Sequence, residues 1–131
     1  MNLKLNKLLA EISAGELVDK ITILEIKKKK IKDQEKLAEV DKELISLNNT
    51  FQKNISQNAD LKNMIKDLKE INLKLWDIED GKRSAEKNNK FDEKFIELAR
   101  SVYKFNDERA KIKLAINNTL GSNIKEVKSY E

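Results

Sequence analysis

Apolar residues recur three and four positions apart along most of the chain, which is the spacing of one face of a helix. One stripe runs Phe91, Phe95, Leu98, Val102, Phe105, Arg109, Ile112, Ile116, and a second runs Leu61, Met64, Ile65, Leu68, Leu75, Trp76. The first third of the chain differs. There Leu17, Ile21, Leu24 and Ile31 form one stripe, while Ile23, Ile26, Leu37, Val40, Leu44, Leu47 and Phe51 form another nearly opposite. No alternating β-branched runs joined by hairpin turns are visible, proline is absent, and glycine occurs only at 15, 81 and 121. The pattern predicts an all-α chain.

Punctuation divides it. Ser13 followed by Glu16 is a capping box, and from there a helix is expected over roughly 14–49. The polar, Asn-rich stretch 48–60 is a turn, Asp60 can cap a second helix over 60–87, and EKNNKFD (86–92) is the second turn. A third helix is expected over 92–120, with Gly121 placed for a left-handed C-terminal cap and 121–131 as a tail. At 131 residues the chain is one domain's worth. Short turns between long helices imply antiparallel neighbours, hence an antiparallel three-helix bundle or long helical hairpin with a short N-terminal segment.

In such a bundle the first helix needs only one apolar face, yet it carries two. Leu17, Ile21, Leu24 and Ile31 are therefore the candidate interaction surface. The covering element would be the leucine-rich N-terminus (Leu3, Leu5, Leu8, Leu9, Ile12), the tail (Ile124, Val127, Tyr130) or a second subunit. The expected partner is a second copy of the chain or another protein.

Polar residues break the other two stripes. Arg109 lies near the centre of an otherwise apolar face, whereas Arg100 lies on the opposite side with Tyr103 and Asp107. Asn72, Glu79 and Arg83 are set into the second stripe, and Asn72, Trp76, Glu79 and Arg83 follow one another at spacings of 4, 3 and 4. The chain writes 24 of its cations as Lys and 3 as Arg; Lys, Asn and Ile together make 52 of 131 residues, as an A/T-rich genome favours. Where such drift favours Lys, an Arg on a core stripe points to a need for its planar five-donor fork. Arg109 is expected to be mostly buried against a carboxylate, Glu79 or one of Glu39 and Glu43, with Asn72 nearby. Two readings follow for the set Asn72, Trp76, Glu79, Arg83, Arg109. It is a paired network that fixes helix register, or a site for a small anionic or sugar-like ligand, with Arg gripping carboxylate or phosphate and Trp76 a flat wall.

Composition narrows the chemistry. Without cysteine there are no disulfides, thiolate nucleophiles or zinc–thiolate sites, and without histidine the commonest general base and metal ligand are missing. No cofactor, metal site or catalytic residue is assigned. Glu16 and Asp19 could meet Mg²⁺ with help from Glu79 or Asp80, but acids in a first helical turn are ordinary dipole complements. No apolar run approaches the ~18 residues of a membrane span, MNLKLNKLLAEIS has no clear cleavage site, and a cytoplasmic protein is expected. The net charge of +4 and the run KKKKIK (Lys27 to Lys32) invite a nucleic-acid reading. With no aromatic residue interleaved, that run reads as a solvated face and nucleic acid as an unlikely partner.

Four blocks, SAGELVDKITILEIK (13–27), LWDIED (75–80), FIELARSVYKFNDERAKIKLAIN (95–117) and GSNIKEVKSY (121–130), are specific together. With them the chain resembles an uncharacterised domain-of-unknown-function family of small helical proteins from bacteria and bacteriophages. The similarity is loosest at 1–10 and 48–66. It implies a free-standing helical domain from a bacterium or a phage-infected bacterium, and it transfers no activity. The expected function is a small non-catalytic interaction or oligomerising module; the alternative is a ligand-binding or enzymatic domain acting on a phosphorylated or saccharide metabolite.

Overall fold

The computed structural model describes residues 3–129. Among them lie four α-helices and no strand: α1 (Ala14–Lys30), α2 (Gln34–Asn54), α3 (Ala59–Lys87) and α4 (Glu93–Leu120). The three-helix expectation is corrected at one place, residues 31–33, where the helix expected over 14–49 breaks. Ile31 turns extended, and the Asp33 carboxylate accepts from the backbone N–H groups of Glu35 and Lys36 to start α2. An Asp followed by good helix formers is a sufficient N-cap. The break lets α2 fold back along α1, so Leu44 and Phe51 join Leu17 and Leu24 in one core.

α1 is the centre of the fold. It packs against α2, α3 and α4, whereas α2 packs against α1 alone. This explains its two apolar stripes. Leu17, Ile21 and Leu24 are buried, and half-buried Ile31 packs against the same cluster. The candidate interaction surface is thus corrected: the chain's own helices cover those residues. Of the leucine-rich N-terminus Ile12 packs against that cluster, whereas Leu3, Leu5, Leu8 and Leu9 are 78–88% exposed. In the tail Val127 and Ile124 are exposed, and Tyr130 lies outside the described residues.

The caps follow local chemistry. Ser13 Oγ accepts from Glu16 N at 3.1 Å, Asp92 accepts from Phe95 N, and Gly121 closes α4 at φ 64°. Asn58, not Asp60, caps α3, accepting from Leu61 N at 2.8 Å. α3 and α4 form a long antiparallel hairpin whose outer end lies beyond the reach of α1. There the apolar stripe of α4 is only partly covered: Phe95, Leu98 and Val102 are half-buried and Phe91 is exposed, edge-on to Phe95 at 5.3 Å. No described helix is long and apolar enough to cross a membrane.

Candidate functional site

Where α1, α3 and α4 meet, a polar network replaces the apolar core. Asp19 on α1 is fully buried. Its Oδ1 accepts from Arg109 Nε at 3.0 Å and from Asn72 Nδ2 at 2.9 Å, and its Oδ2 accepts from Arg109 Nη2. The Asn72 amide also donates to Thr22 Oγ1 at 2.9 Å, and that hydroxyl donates to the Asp19 carbonyl at 2.8 Å. Lys113, one helical turn beyond Arg109, holds Glu16 at 2.6 Å, Glu126 of the tail at 3.2 Å and Asp19 Oδ2 at 3.6 Å.

The charges are mutually stabilised. Burial alone would raise the Asp19 pKa, but the Arg109 guanidinium, the Asn72 amide and Lys113 outweigh it and hold the carboxyl below its ordinary value. The bond to Asp19 pushes Arg109 up. Burial would lower Lys113, but Glu16, Asp19 and Glu126 together raise it. Lys128 and then Lys113 hold Glu126 down.

The partner expected for Arg109 is corrected. Glu79, Glu39 and Glu43 make no bond to it. Glu79 pairs with Lys82 at 3.5 Å on its own helix, Glu39 lines a separate groove between α1 and α2, and Glu43 lines that groove and also a hollow shared with Asp19 and Arg109, without bonding the guanidinium. The reason is register: α1 lies between α3 and α4 at this level, so the nearest acid is its Asp19. Asn72 is where it was expected, two bonds from the guanidinium. Arg109 is only half-buried, with 29% of its side-chain surface exposed. Asp19, Lys113 and Asn117 were the missed members. A signal existed, since Asn106, Arg109, Lys113 and Asn117 recur at spacings of 3, 4 and 4 and mark one polar face of α4. That face meets Gly15 and Asp19 of α1, with Asn117 Oδ1 accepting from Gly15 N at 2.6 Å.

In front of this network lies a cleft of about 350 Å³. All five members of the sequence-derived set line it: Asn72, Trp76, Glu79, Arg83 and Arg109, joined by Asn106. Its floor is apolar, from Ile23, Ile26 and Leu75. Asp19 takes Nε and Nη2 of Arg109 from behind, while Nη1 reaches only Asn106 Oδ1, at 3.4 Å. Trp76 is half-buried and makes no hydrogen bond among the described residues, and the exposed Arg83 makes neither hydrogen bond nor ion pair there. The cleft therefore offers one anchored cation, one free cation and a flat indole wall. No group of three or more acids among the described residues is placed to hold a metal ion; Asp19 and Glu16 are instead engaged by Arg109 and Lys113. Within the basic run, Lys28 pairs with Asp41 at 3.2 Å and Lys30 approaches Asp77 at 3.9 Å.

No curated protein and no solved structure matches this chain. Residues 8–131 match a family model described as a family of unknown function, DUF6165, and the chain belongs to that family.

Proposed function

We propose that the protein binds a small anionic ligand in the cleft between α1, α3 and α4. The observation that carries this reading is the state of Arg109, fixed in orientation by buried Asp19 yet left with an open edge on the cleft. A guanidinium held from behind has lost its side-chain freedom before ligand arrives, so less entropy is lost on binding. Arg83, without a partner among the described residues, adds a second cation at the same cleft. Binding without catalysis is the simplest use of this cleft, and a cytoplasmic role in a bacterial or phage-infected cell belongs to the same reading.

The test uses Trp76, the chain's single tryptophan. Its emission is followed while inorganic phosphate, glycerol 3-phosphate, glucose 6-phosphate and glucuronate are titrated in. At least one should give a saturable change that is lost in Arg83→Gln. If all four leave both emission and heat of mixing unchanged up to ~10 mM, a Kd beyond useful small-molecule binding, the proposal is wrong.

A second reading, as an interaction or oligomerising module, has a different support. Leu5, Leu8, Leu9 and Ile12 have helical spacing, and the first three are exposed on a segment outside any helix. Light scattering on the full chain and on a variant lacking residues 1–10 tests it. A larger mass for the full chain alone supports it, and equal monomer masses remove it.

A further inference from the structure

We infer that the ligand of the cleft is an acidic sugar, a pyranose carrying a phosphate or carboxylate, stacked on Trp76; this rests on the anion-binding reading above. A bare anion explains Arg83 and Arg109 but not the rest of the lining. Two carboxylates, Glu79 and Asp80, share the cleft with the cations. Facing an anion alone they would repel it. Carboxylates accept hydrogen bonds and cannot donate them, so the ligand has to bring donors as well as negative charge.

The placement of the acceptors separates hydroxyls from an ammonium group. Asn72 uses its amide nitrogen on Asp19 and Thr22, and its carbonyl oxygen accepts no bond among the described residues. It lies at the deep end, with Glu79 and Asp80 two helical turns further along α3, about 10 Å along the axis. An ammonium concentrates its donors at one point, whereas ring hydroxyls spread them over a length of this order. Glu79 is already balanced by Lys82 at 3.5 Å, so it offers lone pairs rather than an uncompensated charge. Between the two ends lies the indole of Trp76. One face of a pyranose presents axial C–H groups, and a flat aromatic ring is the surface they pack against. The acid group then belongs at Arg83 and the open edge of Arg109.

The experiment compares ligands of equal charge. Glucose 6-phosphate and glycerol 3-phosphate share the phosphate and differ in the ring. Glucuronate and acetate do the same for the carboxylate, and glutamate supplies an ammonium without a ring. Titrations by calorimetry should rank each sugar at least tenfold tighter than its ringless partner. Trp76→Leu, checked for an unchanged melting temperature, should bring each sugar down to the affinity of its ringless partner. Equal affinities within each pair would overturn the sugar assignment and leave the anion site standing. Tighter glutamate than glucuronate would overturn it in favour of a zwitterion. No binding by any of the five would overturn both readings.

Discussion

Asp19 and Arg109, 90 positions apart in sequence, close a two-point ion pair that ties α1 to α4. The pair is asymmetric: the Asp19 side chain is 1% exposed and that of Arg109 29%. Losing the arginine therefore strands a buried anion, with Asn72 and Lys113 as partial compensation. Arg109→Ala should cost about 3 kcal/mol, the low end for breaking a buried pair from one side. Arg109→Lys should cost less, since an ammonium supplies charge without the two-point fork. Arg109→Met combined with Asp19→Asn should recover much of the loss. Urea unfolding checks all three, and an unaffected Arg109→Ala would show that the pair is idle.

The same network sets the pH range of stability. The Asp19 pKa is lowered by folding, so its contribution is present above the unfolded value of 3.8 and is lost as pH falls through the lower folded value. Lys113 is raised, so its contribution is present below its unfolded value of 10.5 and is lost as pH rises through the higher folded value. With neither histidine nor cysteine in the chain, no side chain of ordinary pKa titrates between about pH 5 and 9. The melting temperature should be flat from about pH 5 to 9 and fall below about pH 4. In Asp19→Asn the acid limb should become shallower. A step near pH 6–7 would point to a group other than these.

Leu24 lies in the core under α2, not on a free face. Leu24→Asp should destabilise the isolated chain by on the order of 4 kcal/mol, because the new charge has no buried partner. Leu8→Asp, on the exposed N-terminal segment, should leave the melting temperature within a degree or two. Thermal unfolding at several protein concentrations separates the cases. If Leu24→Asp dissociated an assembly without unfolding its subunits, Leu24 would be at an interface after all.

How much of this was legible in sequence depends on the element. Periodicity located α3 and α4, because each has one stripe and clear polar turns at its ends. It failed at residues 31–33, where Ile31 fits the apolar pattern and the only stop is a capping Asp33 without Gly or Pro. The missed break then distorted the reading of Leu17, Ile21 and Leu24, since a central helix and a partner-binding helix both carry more than one apolar stripe. The cleft lining was readable from α3 and α4 because Asn72, Glu79, Arg83 and Arg109 interrupt apolar stripes and Trp76 shares a face with the first three. Asp19 was not, because it reads as one of the acids that complement a helix N-terminus, although only Glu16 lies in the first turn of α1. Only the packing of α1 between α3 and α4 brings it to the guanidinium.

Gly15 gives the sharpest check of that packing. A Cβ built there would lie 2.5 Å from the backbone oxygen of Lys113 and 3.0 Å from Asn117 Oδ1. The first contact is with main chain, which cannot swing aside, so α1 and α4 would have to part where Asn117 binds Gly15 N at 2.6 Å. In a free helix Gly→Ala gains about 1 kcal/mol. Against a fixed backbone, overpacking costs roughly 1–3 kcal/mol, and the lost Asn117 bond adds to it. Gly15→Ala should therefore lower the melting temperature by several degrees and weaken ligand binding, because Arg109 sits two helical turns along α4 from Asn117. Gly81→Ala is the control: its Cβ would meet only the tip of Leu98, at 3.1 Å, and a leucine methyl can turn away. That variant should be neutral or slightly stabilising. Equal effects of the two substitutions would mean that α1 and α4 do not approach as closely as the network around Asp19 requires.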